Sequence, residues 1–281
     1  MSKTEDRIFK LAKECGFSDV GICHYSDVLP LLKCSGMRRI PENAESVIVG
    51  VFAYGGEEGI KERNVAEYAV FDDYHIIVGN ILEKLKNELE KIYPEESFEA
   101  FVDNSPIDER RAGVLAGLGD VGKNGLLIHK KYGMRIFIGE IVTSLKLECN
   151  EKPSEKLCDG CGACIRGCPA GVLGENGRDM SRCLSGVTQR KGELAEEEKE
   201  LLRACGKVWG CDECIEACPK NRERAGAKDA GMSEALRRKD PKVTFENYRE
   251  LLCRKAYGYR GERVMRRNLE IIYGEEEKFE K

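Results

Sequence analysis

A chain of 281 residues is long enough for one large domain or two ordinary ones. Its 41% hydrophobic and 34% charged residues describe a globular protein, and no stretch approaches the roughly 18 uninterrupted apolar residues a membrane span needs. A net charge of −4 argues against wholesale nucleic-acid binding, yet residues 222–267 hold 14 Lys/Arg against 7 Asp/Glu. Such a basic segment suits a phosphate backbone or simply a solvated helical face.

The opening MSKTEDRIFKLAKECGF alternates charged and apolar residues and lacks the apolar core of a signal peptide. The expected location is therefore the cytoplasm. Ser2 with Glu5 makes a capping-box pattern ahead of Ile8, Phe9, Leu11 and Ala12, which predicts a helix to about Glu14, ended by Gly16. Ser46–Tyr54 is short, apolar and β-branched, the pattern of a buried strand. Tyr74–Ile92 carries Ile77, Ile81, Leu85, Leu89 and Ile92 on one stripe and predicts a long helix. Ser97–Asp103 and Met134–Ser144 read as further strands. Strands alternating with helices suggest an α/β sandwich over residues 1–148. The polar Cys149–Pro153 reads as a linker, and helical spacing returns at Phe245–Arg254 and Arg263–Ile272.

Fourteen cysteines are the outlier. In a reducing compartment, clustered cysteines bind metal or do redox chemistry more often than they pair. Cys15, Cys23, Cys34, Cys149, Cys205 and Cys253 have no motif spacing, while the other eight fall within 61 residues. Cys158, Cys161, Cys164 and Cys168-Pro169 form the C-x2-C-x2-C-x3-C-P run of bacterial-type ferredoxins. A tight loop with Gly160, Gly162 and Gly167 can offer three thiolates to three corners of an iron–sulfur cubane; the fourth corner is met from elsewhere. Cys211, Cys214 and Cys218-Pro219 repeat the ending. The pseudo-symmetric assignment gives one 4Fe–4S cluster Cys158, Cys161, Cys164 and Cys218, and the other Cys168, Cys183, Cys211 and Cys214. Cys205 competes with Cys183 for the last place, and Cys183 is preferred. Two tetrahedral zinc sites would use the same number of cysteines, but this spacing is unusual for zinc.

In the N-terminal half, Asp103-Asn-Ser-Pro-Ile-Asp108-Glu109-Arg110 follows a predicted strand, where α/β sites tend to sit. Asp103 or Glu109 is a candidate proton donor; a capped turn with a surface ion pair is the plainer reading. The glycine-rich Leu118–Gly125 loop lacks the spacing of a phosphate-binding loop, and no dinucleotide fingerprint is present. His24, His75 and His129 are scattered, each more in keeping with a structural role than with a metal cluster.

Taken together, VDNSPIDERRAGVLAGLGDVGKNGLLIHKKYGMRIFIGEIVTSLKL, the ferredoxin run, a lone Cys183 and GCDECIEACP resemble the epoxyqueuosine reductase family over about residues 40–222. The family's pattern V-D-x-x-P-x-x-E-R, its A-G-L-G-x-x-G-K block, and Tyr68 with Asp73-Tyr74-His75 are all present. The resemblance implies an α+β fold: a corrinoid-binding α/β domain (1–148), a two-cluster ferredoxin-like module (149–222) and a short, locally basic helical segment (223–281). The architecture it implies is shared with reductive dehalogenases. It implies two 4Fe–4S clusters and a cobalamin, with Tyr68, His75, Gly119, Gly122 and Lys123 against the corrinoid. Asp103 becomes the general acid, its pKa raised by burial. The implied activity is removal of the epoxide oxygen of epoxyqueuosine in tRNA, with electrons from an external low-potential donor and the basic segment Arg237–Arg267 against the RNA. Reduction of another substrate, and electron transfer without catalysis, are the alternatives.

Overall fold

The computed structural model describes residues 3–55, 59–149, 156–174, 177–222, 236 and 238–274. Its sheet uses β1 (Asp19–His24), β2 (Ser46–Ala53), β3 (Phe98–Val102) and, beyond the small hairpin β4 (Asp120–Val121) and β5 (Leu127–Ile128), β6 (Ile136–Thr143). The order is β1-β2-β6-β3, and each neighbouring pair is antiparallel. β2 is buried along its whole length because both of its faces are covered. Alternation sorts its side chains: Ile48 and Phe52 face one core layer, whereas Val47, Val49, Val51 and Ala53 face the other.

Helices α1 (Lys3–Cys15), the short α2 (Glu67–Val70) and α3 (Tyr74–Ile92) come from the N-terminal half. α3 lays Val78, Leu82, Leu85 and Leu89 on the first layer, each fully buried and worth about 1.5–3 kcal/mol. Gly139 permits this close approach, since a Cβ there would stand 2.7 Å from Leu82 Cδ1. The capping partner Ser2 lies outside the described residues; the Glu5 carboxylate accepts the Glu148 backbone N–H at 2.9 Å. α4 (Glu109–Leu115) covers the opposite layer, its N-cap Asp108 accepting from the backbone N–H groups of Arg110 and Arg111.

The cysteine-rich region builds α5 (Ala163–Arg166), the hairpin β7 (Leu173–Gly174) and β8 (Gly177–Arg178), α6 (Leu184–Gln189), α7 (Glu196–Cys205), α8 (Glu213–Glu216) and α9 (Pro219–Arg222). Most of the expected linker (residues 150–153) lies outside the described residues. α10 (Tyr248–Leu252) and α11 (Glu262–Tyr273) follow. They are no loose appendage: Tyr248, Leu251, Tyr257, Met265 and Leu269 share one apolar cluster with Val65, Val70 and Trp209. Among the described residues no helix is long and apolar enough to cross a membrane.

A buried ionic network joins the sheet to the cysteine-rich region. Arg135, just before β6, donates to Glu67 at 2.8 Å and to Glu216. Arg63 donates to Asp212 at 2.9 Å and to Glu216 at 2.8 Å, and Asp212 also accepts the Glu67 backbone N–H. The Glu67 side chain is fully buried and that of Arg135 is 4% exposed. Removing one partner of such a pair strands the other, so Arg135→Met is expected to cost about 3–5 kcal/mol in denaturant unfolding. A loss below about 1 kcal/mol, the scale of an exposed pair, would contradict this account of the joint.

Candidate active site and cluster-binding module

The eight motif cysteines divide between two cavities. Cys168, Cys183, Cys211 and Cys214 line one of about 290 Å³. Cys158, Cys161, Cys164 and Cys218 line a smaller one. Cys205 lines neither; it closes α7 beside Leu201 in a satellite apolar cluster. Among the described residues no three His, Cys, Asp or Glu converge as a single-ion site would require. Thiols spread around a cavity suit a polynuclear cluster, whose corners each need one thiolate. The loops can wrap so tightly because Gly160 and Gly162 take left-handed backbone angles, φ +75° and +72°.

The larger cavity is more than a cysteine cage. Opposite the thiols stand Tyr54, Tyr68, Tyr74 and Phe137. Tyr74 and Phe137 stack at 4.3 Å with their planes 4° apart. Trp209 Nε1 donates to the Tyr68 hydroxyl at 2.8 Å, fixing that ring. Tyr74, Leu126, Met134, Ile136 and Phe137 also line a neighbouring cavity of about 400 Å³ that reaches Asp103 and Glu109. The two form one cleft: thiols at one end, flat apolar walls along its length, ionisable groups at the other. Such walls fit a planar macrocycle.

His75 and Asp103 meet at the acidic end. His75 Nε2 bonds Asp103 Oδ2 at 2.9 Å, and Nδ1 bonds Asp73 Oδ1 at 2.6 Å. With a carboxylate on each nitrogen, both must donate, which is the imidazolium form. Burial alone pushes the ring's pKa down, but these two hydrogen bonds outweigh it and hold it at about 9. Asp103 pays the reciprocal shift. The sequence reading required its carboxyl to be raised by burial; instead the His75 hydrogen bond outweighs burial and holds it below its ordinary value. The raised group is Glu109, at about 8, through burial and then the charges of Asp103 and Asp108. Asp103 also sits in the left-handed region at φ +54°, a cost that functional loops tolerate.

Tyr68 thus lies on the cleft wall, and His75 pairs with Asp103 beside it. Gly122 and Lys123, expected along the corrinoid surface, line the cavity of Cys158, Cys161, Cys164 and Cys218. Gly119 lies in the β4–β5 hairpin, where a Cβ would stand 2.2 Å from the Ile128 carbonyl oxygen; a packing constraint explains that glycine. Sequence reasoning missed Tyr54 and Phe137, which read as ordinary strand residues, and Glu140, an acid inside an otherwise apolar strand.

Two family models match. One, the 4Fe-4S double cluster binding domain, covers residues 157–221; the other, epoxyqueuosine reductase QueG, DUF1730, covers residues 36–104. The epoxyqueuosine reductase of Cyclobacterium marinum is 30% identical over 250 residues, spanning 85% of this chain and 79% of that protein. The chain belongs to the epoxyqueuosine reductase family. Residues 157–221 are therefore a double 4Fe–4S cluster binding domain. The Aliivibrio fischeri reductase is 32% identical over 244 residues, but the match spans 65% of its length, and the Lactococcus garvieae match spans 42%. Among solved structures, the Streptococcus thermophilus epoxyqueuosine reductase superposes with a TM-score of 0.80 at 24% identity, over 96% of this chain and 80% of that one. A catabolic reductive dehalogenase gives 0.54 at 17% identity, over 97% of this chain and 38% of its own. These structural likenesses establish the shared fold.

The His75–Asp103 pair has a measurable signature. Because the imidazole is raised from 6.5 to about 9, its stabilisation is complete below 6.5 and is lost as the pH climbs through 9. Asp103→Asn is expected to move the His75 titration, followed by NMR, downward from about 9 toward the ordinary range. An unmoved titration would show that the pair is absent in solution.

Proposed function

We propose that this chain reduces the epoxide of epoxyqueuosine in tRNA to queuosine, using a cobalamin in the aromatic cleft and two 4Fe–4S clusters. Cys168, Cys183, Cys211 and Cys214 hold the cluster beside the cleft; Cys158, Cys161, Cys164 and Cys218 hold the other. The observation that carries the reading is the continuity of the cleft. Its thiol end and its His75–Asp103 end are joined by the walls of Tyr68, Tyr74 and Phe137. A relative's structure contains an epoxyqueuosine-modified tRNA stem loop, and another shows a catalytic aspartate loop swung out of the active site.

Removing the epoxide oxygen as water, with formation of a carbon–carbon double bond, consumes two electrons and two protons. Bound cobalamin supplies a redox-active cobalt for the carbon–oxygen chemistry. The clusters, held by these eight cysteines, would supply one-electron redox capacity, with an external low-potential donor as their source. The protein's own residues manage the protons. His75, an imidazolium at neutral pH, hydrogen-bonds Asp103, so the pair carries one transferable proton at the mouth of the cleft. Asp103 is the member that presents it to the departing oxygen, since its side chain is 61% exposed. Tyr68 and Tyr74 exclude water from the apolar wall.

The basic C-terminal segment supplies fewer free cations than its composition suggests. Lys255 is fully buried, donating to the Val70 carbonyl and pairing with Asp72 and Asp240; Arg254 bridges the same two aspartates. Arg237 lies outside the described residues. Arg238, Lys239 and Arg263 are exposed, as is Lys242 beside Glu62 at 3.5 Å, and these are the cations we assign to phosphate contact, which positions RNA without reading its sequence.

The test is conversion of epoxyqueuosine-containing tRNA by reconstituted protein with cobalamin and a low-potential reductant, followed by nucleoside mass spectrometry. Wild type should yield queuosine, and Asp103→Asn should keep its iron and corrinoid yet turn over about 10²-fold or more slowly. Full turnover in that variant would remove Asp103 from the mechanism, and no queuosine from a fully loaded wild type would refute the substrate.

A further inference from the structure

The reaction above needs two protons, and His75–Asp103 carries one. A second acid borders the same cleft. Glu109, the first residue of α4, lines the cavity with Asp103 and Tyr74, and its buried Oε1 has no hydrogen-bond partner among the described residues. The Asp103 backbone N–H points at its carboxyl group. Behind it, on the face of β6 that α4 covers, stands Glu140, with no exposed surface and neither oxygen in a hydrogen bond of normal geometry. Its strand neighbours across the ladder are Val49 and Phe101.

Glu140 is fully buried and Glu109 half-buried with its Oε1 sealed from solvent, so the two carboxyl groups do not both ionise. An uncompensated buried carboxylate costs several kcal/mol, and a second like charge beside it adds to that. The charged groups acting on Glu109 are Asp103, Asp108 and Arg110. Arg110 is half-exposed and already bonded to Asp108, at 3.1 Å. Among the described residues, the groups acting on Glu140 are Glu109, Asp108 and the Ser105 hydroxyl. Burial therefore keeps Glu140 a neutral acid, and burial plus the Asp103 charge keeps Glu109 one at neutral pH.

We propose that Glu109 is the second proton source of the cleft, held as a neutral carboxylic acid at its edge, and that Glu140 is a positioning residue buried behind it. This deepens the reductase reading and rests on it for the proton's use. Glu109 gives its proton to the site after His75–Asp103 has given the first, and the resulting carboxylate recovers a proton from cleft water. Its burial makes that carboxylate short-lived, which favours reset before the next turnover.

Infrared spectroscopy tests the acid without any substrate. Wild-type protein at neutral pH should show the carbonyl stretch of protonated carboxylic acids. One component should titrate away with a midpoint near 8, shift on transfer to heavy water, and be missing in Glu109→Gln. A second component, titrating above the first, should be missing in Glu140→Gln. Because folded Glu109 holds its proton more tightly than unfolded Glu109, wild-type stability should fall as the pH rises from about 4.5 to about 8 more steeply than that of Glu109→Gln. No protonated band in wild type at neutral pH, or a titrating band that persists in Glu109→Gln, would overturn the assignment whatever the substrate is. In turnover, Glu109→Gln should lower kcat about 10²-fold with KM unchanged and remove the alkaline limb near 8; Glu109→Asp should restore part of both. A wild-type pH profile in an active Glu109→Gln enzyme would also overturn the proposal.

Discussion

The joint of Arg63 and Arg135 with Glu67, Asp212 and Glu216 is the constraint on which the rest depends. Asp212 and Glu216 lie between and beside the motif cysteines Cys211, Cys214 and Cys218, while Arg135 leads into β6 and Glu67 begins α2. Fixing these carboxylates to these guanidinium groups fixes one cysteine-bearing loop against the sheet. Planar, multi-donor arginines suit the task, since each can bridge two carboxylates at once. The network thus fixes the loop that carries the thiols relative to the strand that carries the aromatic wall.

The same economy holds at the other end of the cleft. Lys255, buried where a lysine is rare, donates to the Val70 carbonyl and pairs with Asp72, and the Arg254 carbonyl accepts from the Asp73 N–H. Residues 70–73 lead directly into α3, whose first turn carries His75. The C-terminal helices therefore hold the entry to α3, and Asp73 both caps α3 and orients the imidazole. Acidity at the site follows from this scaffold: Asp103 is lowered by the cation it touches, and Glu109 is raised by burial and by the Asp103 charge beside it.

Much of this was legible in sequence where a pattern has one physical cause. The Tyr74–Ile92 stripe is a helix with those bounds, and the strand expected over Ser46–Tyr54 runs from Ser46 to Ala53 and is buried throughout. The cysteine spacing pointed to a double cluster domain because tight loops around a cubane require it. β1 was not foreseen: Asp19–His24 is short, with a glycine at its centre, and owes its place to pairing with β2. α4 carries too little periodicity over its seven residues to be seen in the sequence; its N-cap Asp108 is the one local signal. Gly119 packs against a hairpin carbonyl, and Gly122 and Lys123 stand in the wall of a cysteine cavity, placements that no sequence pattern specifies. The acid–base assignments were hidden for a different reason. Which carboxyl is raised depends on what faces it across the fold, and Glu140 meets Glu109 only through tertiary packing.

The central claim is that the aromatic cleft holds a corrinoid against the cluster beside it. The most direct measurement is anaerobic cobalamin titration of the cluster-reconstituted protein, read by paramagnetic resonance. The account predicts one corrinoid per chain, with its cobalt signal split by magnetic coupling when the neighbouring cluster is reduced. A protein with both clusters intact and no affinity for cobalamin, or one that binds it without coupling, would contradict that claim.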